Sequence, residues 1–142
     1  MRRALLIPLI ASCDTEPCTT LGCDAEGVTL HLVHAGWTTG DGTAEVTVDG
    51  TAHSCTFTLP AGDVDEQYCG PAGVVLLNFD AETGGIASIW VDGDETEAVH
   101  VKLDLAGALL IDADAPFTWD KTFPNGPGCG PECLTADVDL TF

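Results

Sequence analysis

Short segments in which apolar and polar residues alternate recur along most of the chain, and turns rich in glycine and proline separate them. In the last segment Ala136, Val138, Leu140 and Phe142 alternate with threonines and aspartates. A period of two residues is typical of a β-strand that buries one face. Eight or nine such segments follow one another at the spacing seen in sandwiches and barrels. The sequence therefore predicts an all-β fold.

The predicted strands have the turn signals expected between antiparallel neighbours. They cover residues 28–32, 43–48, 53–59, 73–80, 85–92, 99–105, 109–111, 117–123 and 135–142. Asp49 and Gly50 form a hairpin signal between the second and third, and residues 60–68 are an acidic loop. Trp90 and Trp119 are interpreted as core residues. We expect an immunoglobulin-like antiparallel β-sandwich over residues 27–142, in architecture only, because the Cys-Trp-Cys arrangement of antibody domains is not present.

The chain is strongly acidic, with 23 Asp plus Glu against 4 Lys plus Arg and a formal net charge of -19. Such a surface repels phosphate backbones, which excludes nucleic acid as a partner. Direct contact with anionic lipid headgroups is also disfavoured. The apolar fraction of 45% is that of a globular protein, so the charge does not indicate disorder.

The first thirteen residues have the layout of a secretory signal. Arg2 and Arg3 precede an apolar run over residues 4–10, and small residues then lead to Cys13. The run is shorter than the roughly 20 apolar residues that cross a bilayer. Its end, Ile10-Ala11-Ser12-Cys13, resembles the lipobox of bacterial lipoproteins. That resemblance implies a diacylglyceryl group on the Cys13 thiol and cleavage just before this residue.

The resemblance divides the chain into a signal peptide over residues 1–12, a lipidated tether over 13–26 and a β-sandwich over 27–142. The turn-rich segment 124–133, together with the N-terminal cysteines, is similar to small lipoproteins of myxobacterial type, which implies an exported β-domain. The expected location is the cell envelope. Asp14 follows the lipidated position, and in enteric bacteria an aspartate there retains lipoproteins at the inner membrane, so both membranes stay open.

The number of cysteines is consistent with an exported protein. The chain has seven cysteines, and lipidation of Cys13 leaves an even set of six for disulfides. Cys55 and Cys69 are the best single pair. Cys18 with Cys23 and Cys129 with Cys133 form two clusters, which either close locally or bond across to each other. A four-thiolate zinc site is the alternative for these four cysteines, although the spacings are wider than in zinc ribbons.

Calcium is the leading ligand hypothesis. Asp92, Asp94 and Glu95 cluster in one turn, and residues 63–66 contain three further carboxylates, Asp63, Asp65 and Glu66. Loops at the end of a sandwich can supply several oxygen ligands to a hard cation. Neither stretch fits an EF-hand loop. The alternative is a solvated acidic loop, and no other cofactor is expected.

No catalytic signature is found, so the chain is predicted not to be an enzyme. His31 and His34 lie three residues apart in a strand and therefore point to opposite faces of it. His53 lies on the apolar face of its strand, and His100 lies on the polar face of its strand. The serines that follow Cys13, Ser54 and Ser88, are not in a Gly-x-Ser-x-Gly motif.

Trp37 lies in a loop and is a candidate for stacking on a sugar ring. The alternative is a ring that closes the end of the sandwich. The expected function is a membrane-anchored binding, adhesion or structural module, with an envelope protein or glycan as partner. A calcium-dependent binding domain and an envelope hydrolase are the alternatives.

Overall fold

The computed structural model describes residues 18, 20–23, 25–70 and 73–142. The predicted signal peptide and the lipidation site Cys13 lie outside the described residues. The strands are β1 (Gly27–Val33), β2 (Gly40–Val48), β3 (Thr51–Leu59), β4 (Glu66–Cys69), β5 (Val75–Phe79), β6 (Ile86–Asp92), β7 (Val99–Leu105), β8 (Ala108–Asp114), β9 (Asp120–Thr122) and β10 (Cys133–Thr141).

Two sheets form a sandwich. One has six strands in the order β4-β5-β6-β1-β10-β9, and the other has four in the order β3-β2-β7-β8. Neighbouring strands are antiparallel throughout, except that β1 and β10 run parallel. The predicted fold class, an all-β sandwich held by disulfides, is confirmed. No helix among the described residues is long and apolar enough to cross a bilayer.

The parallel pair joins the two ends of the chain near the middle of the larger sheet. Gly27 is in register with Thr135, and Val33 with Thr141. Parallel neighbours require a long connection, and here eight strands lie between them. Both strands therefore begin at one end of the sandwich and finish at the other.

The core lies between the sheets and takes one residue in two from each central strand. Val101, Leu103 and Leu105 of β7 are almost fully buried, while Lys102 between them is exposed. The largest fully buried side chains of the six-stranded sheet are Val28, Leu30, Cys69, Val75, Leu77, Ile86, Ile89 and Val91. The predicted alternation of β10 is confirmed, since Ala136 and Leu140 are buried and Asp137 and Asp139 are exposed.

Two predicted segments differ from the structure. The acidic loop over residues 60–68 ends in an unpredicted strand, β4, which pairs with β5 and ends at the buried Cys69. Of residues 117–123, only Asp120–Thr122 forms a strand. Phe117 and Trp119 instead pack edge to face at 5.3 Å beside the core. Short polar stretches such as β4 carry too few apolar positions for a period of two to be recognised.

Trp90 was expected in the core and lies on the opposite face of its strand. Its neighbours Ile89 and Val91 are buried, whereas Trp90 is half-buried on the outer face of the six-stranded sheet. It is in register with Leu76 of β5 and Thr29 of β1. A strand that is apolar on both faces does not reveal by its pattern which face is inside.

Candidate functional site

Two disulfides connect the segment before β1 to the segment before β10. Cys18 is bonded to Cys129 and Cys23 to Cys133, over sequence separations of 111 and 110 residues. Of the two pairings left open by the sequence, the structure has the cross-bonded one. The reason is the parallel pairing of β1 and β10, which brings the segments that precede both strands to the same end of the sandwich.

The third disulfide is the predicted one between Cys55 and Cys69. It joins the middle of β3 to the last residue of β4, and so connects an edge strand of each sheet. Gln67 of β4 adds a side-chain hydrogen bond of 2.8 Å to the carbonyl of Thr56. The two sheets are therefore held together along this side by covalent and polar contacts.

The zinc alternative does not fit this arrangement of sulfurs. Potential donor atoms of Cys23, Glu26 and Cys133 lie within 4.8 Å of one another. The sulfurs of Cys23 and Cys133 are bonded to each other in a disulfide, whereas cysteine binds a metal ion as a free thiolate. The Glu26 carboxylate accepts a hydrogen bond of 3.3 Å from the backbone N–H of Leu134. The group therefore ties the starts of β1 and β10 together.

The structure does not gather the carboxylates proposed for calcium. Within the described ranges, the Cys–Glu–Cys group is the one set of three potential donors that lie within 4.8 Å of one another. Asp92 is the last residue of β6, and Asp94 and Glu95 extend into solvent from the following loop. Asp63, Asp65 and Glu66 are likewise exposed and not gathered.

A carboxylate that the sequence indicates only as part of a hairpin turn organises this loop. Asp49 lies in the β2–β3 turn with φ of 47°, a backbone conformation that aspartate tolerates better than most residues. Its Oδ1 accepts hydrogen bonds from the backbone N–H groups of Glu97 and Ala98, at 2.9 and 2.8 Å. The loop between β6 and β7 is therefore held by a neighbouring turn.

One corner of the sandwich, at the end where β10 begins, carries no charged residue. We call residues 20–23 and 122–131 the uncharged corner. At its centre Asn125, 8% exposed, accepts a hydrogen bond from the backbone N–H of Leu21 and donates to the carbonyls of Leu21 and Gly130. The three distances are 2.7–2.8 Å. An asparagine that the sequence indicates only as a turn residue thus joins the two segments.

Aromatic rings close the opposite end of the sandwich. His34 stacks on Phe142 with ring centroids 4.7 Å apart, and Trp37 packs edge-on to both. His34 also contacts the Phe142 carbonyl through Nδ1 at 2.8 Å. The indole of Trp37 covers Gly85 so closely that a Cβ there would overlap the ring. This is the arrangement of the alternative interpretation of Trp37, a ring that closes the sandwich.

His100 is held between two carboxylates on the outer face of the four-stranded sheet. Its Nδ1 lies 2.8 Å from Asp114 and its Nε2 2.8 Å from Asp112. Both ring nitrogens can donate at once only when the imidazole is protonated. Hydrogen bonds to Asp114 and then Asp112 accordingly raise the pKa of His100.

The other predicted histidines are dispersed. His31 lies on the outer face of β1, where Nε2 is 2.9 Å from Asp137. His34 lies just beyond the end of β1, and His53 is half-buried on β3 beside Gly70. The structure therefore brings none of the four histidines together at one site.

The serines have polar partners but no catalytic arrangement. The hydroxyl of Ser54 donates to Glu45 at 3.5 Å, and that of Ser88 accepts from the Asn78 amide at 3.1 Å. In the described part of the chain neither serine is hydrogen-bonded to a histidine.

An open depression of about 470 Å³ lies on the outer face of the four-stranded sheet. Its lining includes Asp41, Thr43, Thr56, Thr58 and Asp104. The hydroxyl of Thr58 donates to the Asp41 carboxylate at 2.7 Å.

A second carboxylate is fixed within a turn. Asp80 accepts hydrogen bonds from the backbone N–H of Glu82 at 2.8 Å and the Thr83 hydroxyl at 2.9 Å. These bonds favour the ionised form and lower the pKa of Asp80. The turn that they fix leads to Gly85, over which Trp37 packs.

A row of side chains crosses the outer face of the six-stranded sheet and was not anticipated from the sequence. Tyr68, Leu76, Trp90 and Thr29 are paired in register across β4, β5, β6 and β1. Tyr68 is 59% exposed. Gly27 lies beside this row, and a Cβ there would overlap the Val91 carbonyl oxygen and lie 3.1 Å from Nε1 of Trp90.

Comparisons with known proteins identify no relative of this chain. No family model matches the chain, and neither a curated protein nor a solved structure is significantly similar to it. The residues themselves therefore carry the functional argument.

Proposed function

We propose that the chain is a bacterial lipoprotein, anchored in the cell envelope through acyl chains on Cys13, whose β-sandwich is a non-catalytic binding, adhesion or structural module. One observation carries the proposal. The six cysteines among the described residues are all paired with one another, which leaves Cys13, outside those residues, as the odd one of the seven. An exported protein with an odd cysteine requires a second use for it, and the sequence before Cys13 supplies one.

The pairing pattern supports export. Disulfides persist in oxidising compartments and are rare in the cytosol. Three of them in one small domain are typical of a secreted or envelope protein. Two of the three lie at the end of the domain that continues into the proposed tether. The chain is thus covalently closed at the point where the anchor would leave it.

The assignment to a non-catalytic module is supported by the roles of the polar groups. Asp49, Asp80 and Asn125 are engaged in hydrogen bonds that fix turns or join segments. The depression on the four-stranded sheet is an open area on a sheet face, whereas active sites are usually concave pockets with convergent polar groups.

The test is the intact mass of the full chain produced in a Gram-negative host supplied with an alkyne-bearing fatty acid. We expect a protein that begins at Cys13, carries acyl chains and gains six alkyl groups only after reduction. Cys13→Ser should abolish fatty-acid labelling and leave the N-terminal residues uncleaved.

The matched control removes two other cysteines. The double variant Cys55→Ser/Cys69→Ser should lose one disulfide and retain the fatty-acid label. A wild-type chain that still contains Met1, with free thiols before reduction, would contradict both lipidation and export.

A further inference from the structure

The distribution of charge around the domain is uneven. The chain contains 23 acidic residues, yet residues 17–23 and 122–131 contain none and no base. Lys121 and Glu132, which border the second stretch, are paired with each other at 2.6 Å. The residues of the uncharged corner therefore carry no charge themselves, and the Glu26 carboxylate borders the corner beside the Cys23–Cys133 disulfide.

The same corner exposes large apolar side chains. Leu21 is 59% exposed and Phe123 is 43% exposed. Both belong to the uncharged corner, because Asn125 bonds both backbone groups of Leu21, and Phe123 lies two residues before Asn125 in the chain. Exposed apolar side chains at one corner of a mostly acidic surface indicate a contact that excludes water.

The length of the tether limits which surface can face a membrane. Five residue steps separate Cys13 from Cys18, and an extended chain of that length reaches at most about 18 Å. The nine residues of β10 span about 30 Å from one end of the sandwich to the other. An anchor at Cys13 therefore keeps the end of the sandwich that contains Cys18 within about 18 Å of the bilayer, whereas the opposite end can be further away.

We propose that the uncharged corner lies against the lipid bilayer, with Leu21 and Phe123 in the headgroup region, and that this contact sets the orientation of the domain. The inference rests on the lipid anchor proposed above. An acidic domain is repelled by anionic headgroups, so the part that touches them should be uncharged and apolar.

The acidic loop at the same end limits the tilt. Gly93 donates to the carbonyl of Glu26 at 3.3 Å, so the loop with Asp94 and Glu95 lies beside the start of β1. The carboxylates of this loop stay hydrated when the domain is tilted so that its β9–β10 side faces the bilayer. The bilayer contact is therefore made by the corner and not by the whole end of the sandwich.

The test uses the full lipidated chain in phosphatidylcholine vesicles that contain some phospholipid with a diazirine on its headgroup. Intact mass first establishes acylation. After photolysis, lipid adducts are located by mass spectrometry of the reduced, digested protein. We expect adducts in peptides that contain residues 20–23 and 122–131. Leu21→Ser/Phe123→Ser should lose them and still sediment with the vesicles through its acyl chains.

The matched control changes two equally exposed apolar residues at the other end. Val64 is 48% exposed and Leu109 is 54% exposed. Leu109 lies next to the β7–β8 turn, whose Ala106 donates to the carbonyl of Asp41 near the start of β2. Val64→Ser/Leu109→Ser should leave the adducts unchanged. Unchanged thermal midpoints in all variants show that each has folded.

The outcomes separate the two proposals. A chain without acyl mass overturns both the anchor and the corner contact. An acylated chain whose adducts lie near Leu109, or are absent from the corner, overturns the corner contact alone. Amine cross-linking of vesicle-bound chains through Lys121, in place of lipid adducts, would show a second copy of the chain against the corner and also overturn the proposal.

Discussion

The two ends of the sandwich are closed by different means. At the end where β10 begins, two disulfides and the buried Asn125 join segments more than a hundred residues apart. At the opposite end, His34, Trp37 and Phe142 pack as rings, and Trp37 covers Gly85. The first closure acts largely by restricting the unfolded chain. The second acts through apolar burial and contact in the folded state.

This difference determines how each end can fail. The disulfide-bonded end should tolerate small changes of side-chain shape, but its closure is lost when the disulfides are reduced. The ring-packed end should not be affected by reduction, but its stability depends on the space available at single positions, because protein interiors are close-packed.

The largest expected effect is loss of the covalent closure. Removing both cross-bonds by four Cys→Ser changes should lower the free energy of unfolding by at least about 5 kcal/mol, because a loop of over a hundred residues is opened. Removing only Cys18–Cys129 or only Cys23–Cys133 should cost about 2–3 kcal/mol, since the remaining bond closes nearly the same loop. Urea unfolding of the three variants measures this non-additivity. Equal, additive costs would show that the two bonds act independently.

The next effect concerns the ring-packed end. Gly85→Ala should lower the free energy of unfolding by about 2–3 kcal/mol, because its Cβ would overlap the Trp37 indole and force the ring away. Gly36→Ala is the matched control, since a Cβ at Gly36 meets no atom within 4 Å. Thermal unfolding and tryptophan fluorescence report the result. A Gly85→Ala variant as stable as Gly36→Ala would mean that Trp37 does not close this end.

A smaller effect is expected for the polar part of the covalent end. Asn125→Ala should cost about 1–2 kcal/mol, because it leaves backbone groups of Leu21 and Gly130 without these partners. The comparison is Asn78→Ala, which removes a hydrogen bond to a half-buried serine hydroxyl. Chemical denaturation measures both. A cost for Asn125→Ala no larger than for Asn78→Ala would assign the closure to the disulfides alone.

The smallest effect depends on pH and concerns charged groups on the outer face of the four-stranded sheet, which belong to neither closure. Asp114 and Asp112 raise the pKa of His100 in the folded protein above its value of about 6.5 in the unfolded chain. The stabilisation is complete below that unfolded value and is lost as the pH rises through the folded one. Because the His100 side chain is 39% exposed, we expect less than about 1 kcal/mol.

Thermal midpoints of wild type, His100→Gln and Asp114→Asn between pH 5.5 and pH 8.5 provide the measurement. The wild type should lose more stability over this window than either variant. Parallel curves for all three would show that the ion pair does not contribute.

The strands could be predicted because half-buried strands alternate, and most of the sandwich follows that rule. The short β4 and the outward Trp90 could not, since a four-residue polar strand and a strand apolar on both faces carry no usable period. The parity of the cysteines predicted six disulfide-bonded residues. Their cross-pairing depends on β1 and β10 running parallel, which is a property of topology and not of spacing.

The candidate functional surfaces were harder to predict from the sequence than the strands. Acidic residues close in sequence suggested a calcium site, yet Asp92, Asp94 and Glu95 are exposed and their carboxylates do not form a group of donors within 4.8 Å of one another. Asn125 is indistinguishable in sequence from an ordinary turn residue. The uncharged corner combines two segments a hundred residues apart, and neither segment alone differs from a neutral loop.

The bond between Cys18 and Cys129 also has a mechanical consequence. When the chain is pulled between its N-terminal segment and residue 142, force passes across the sulfur–sulfur bond directly from residue 18 to residue 129. Strands β1–β9 lie within the closed loop and are bypassed. The load then falls on β10, which must be sheared along β1 and β9 rather than peeled away. Under tension at its N-terminus, the domain should therefore extend by only a short length of chain while its disulfides remain intact.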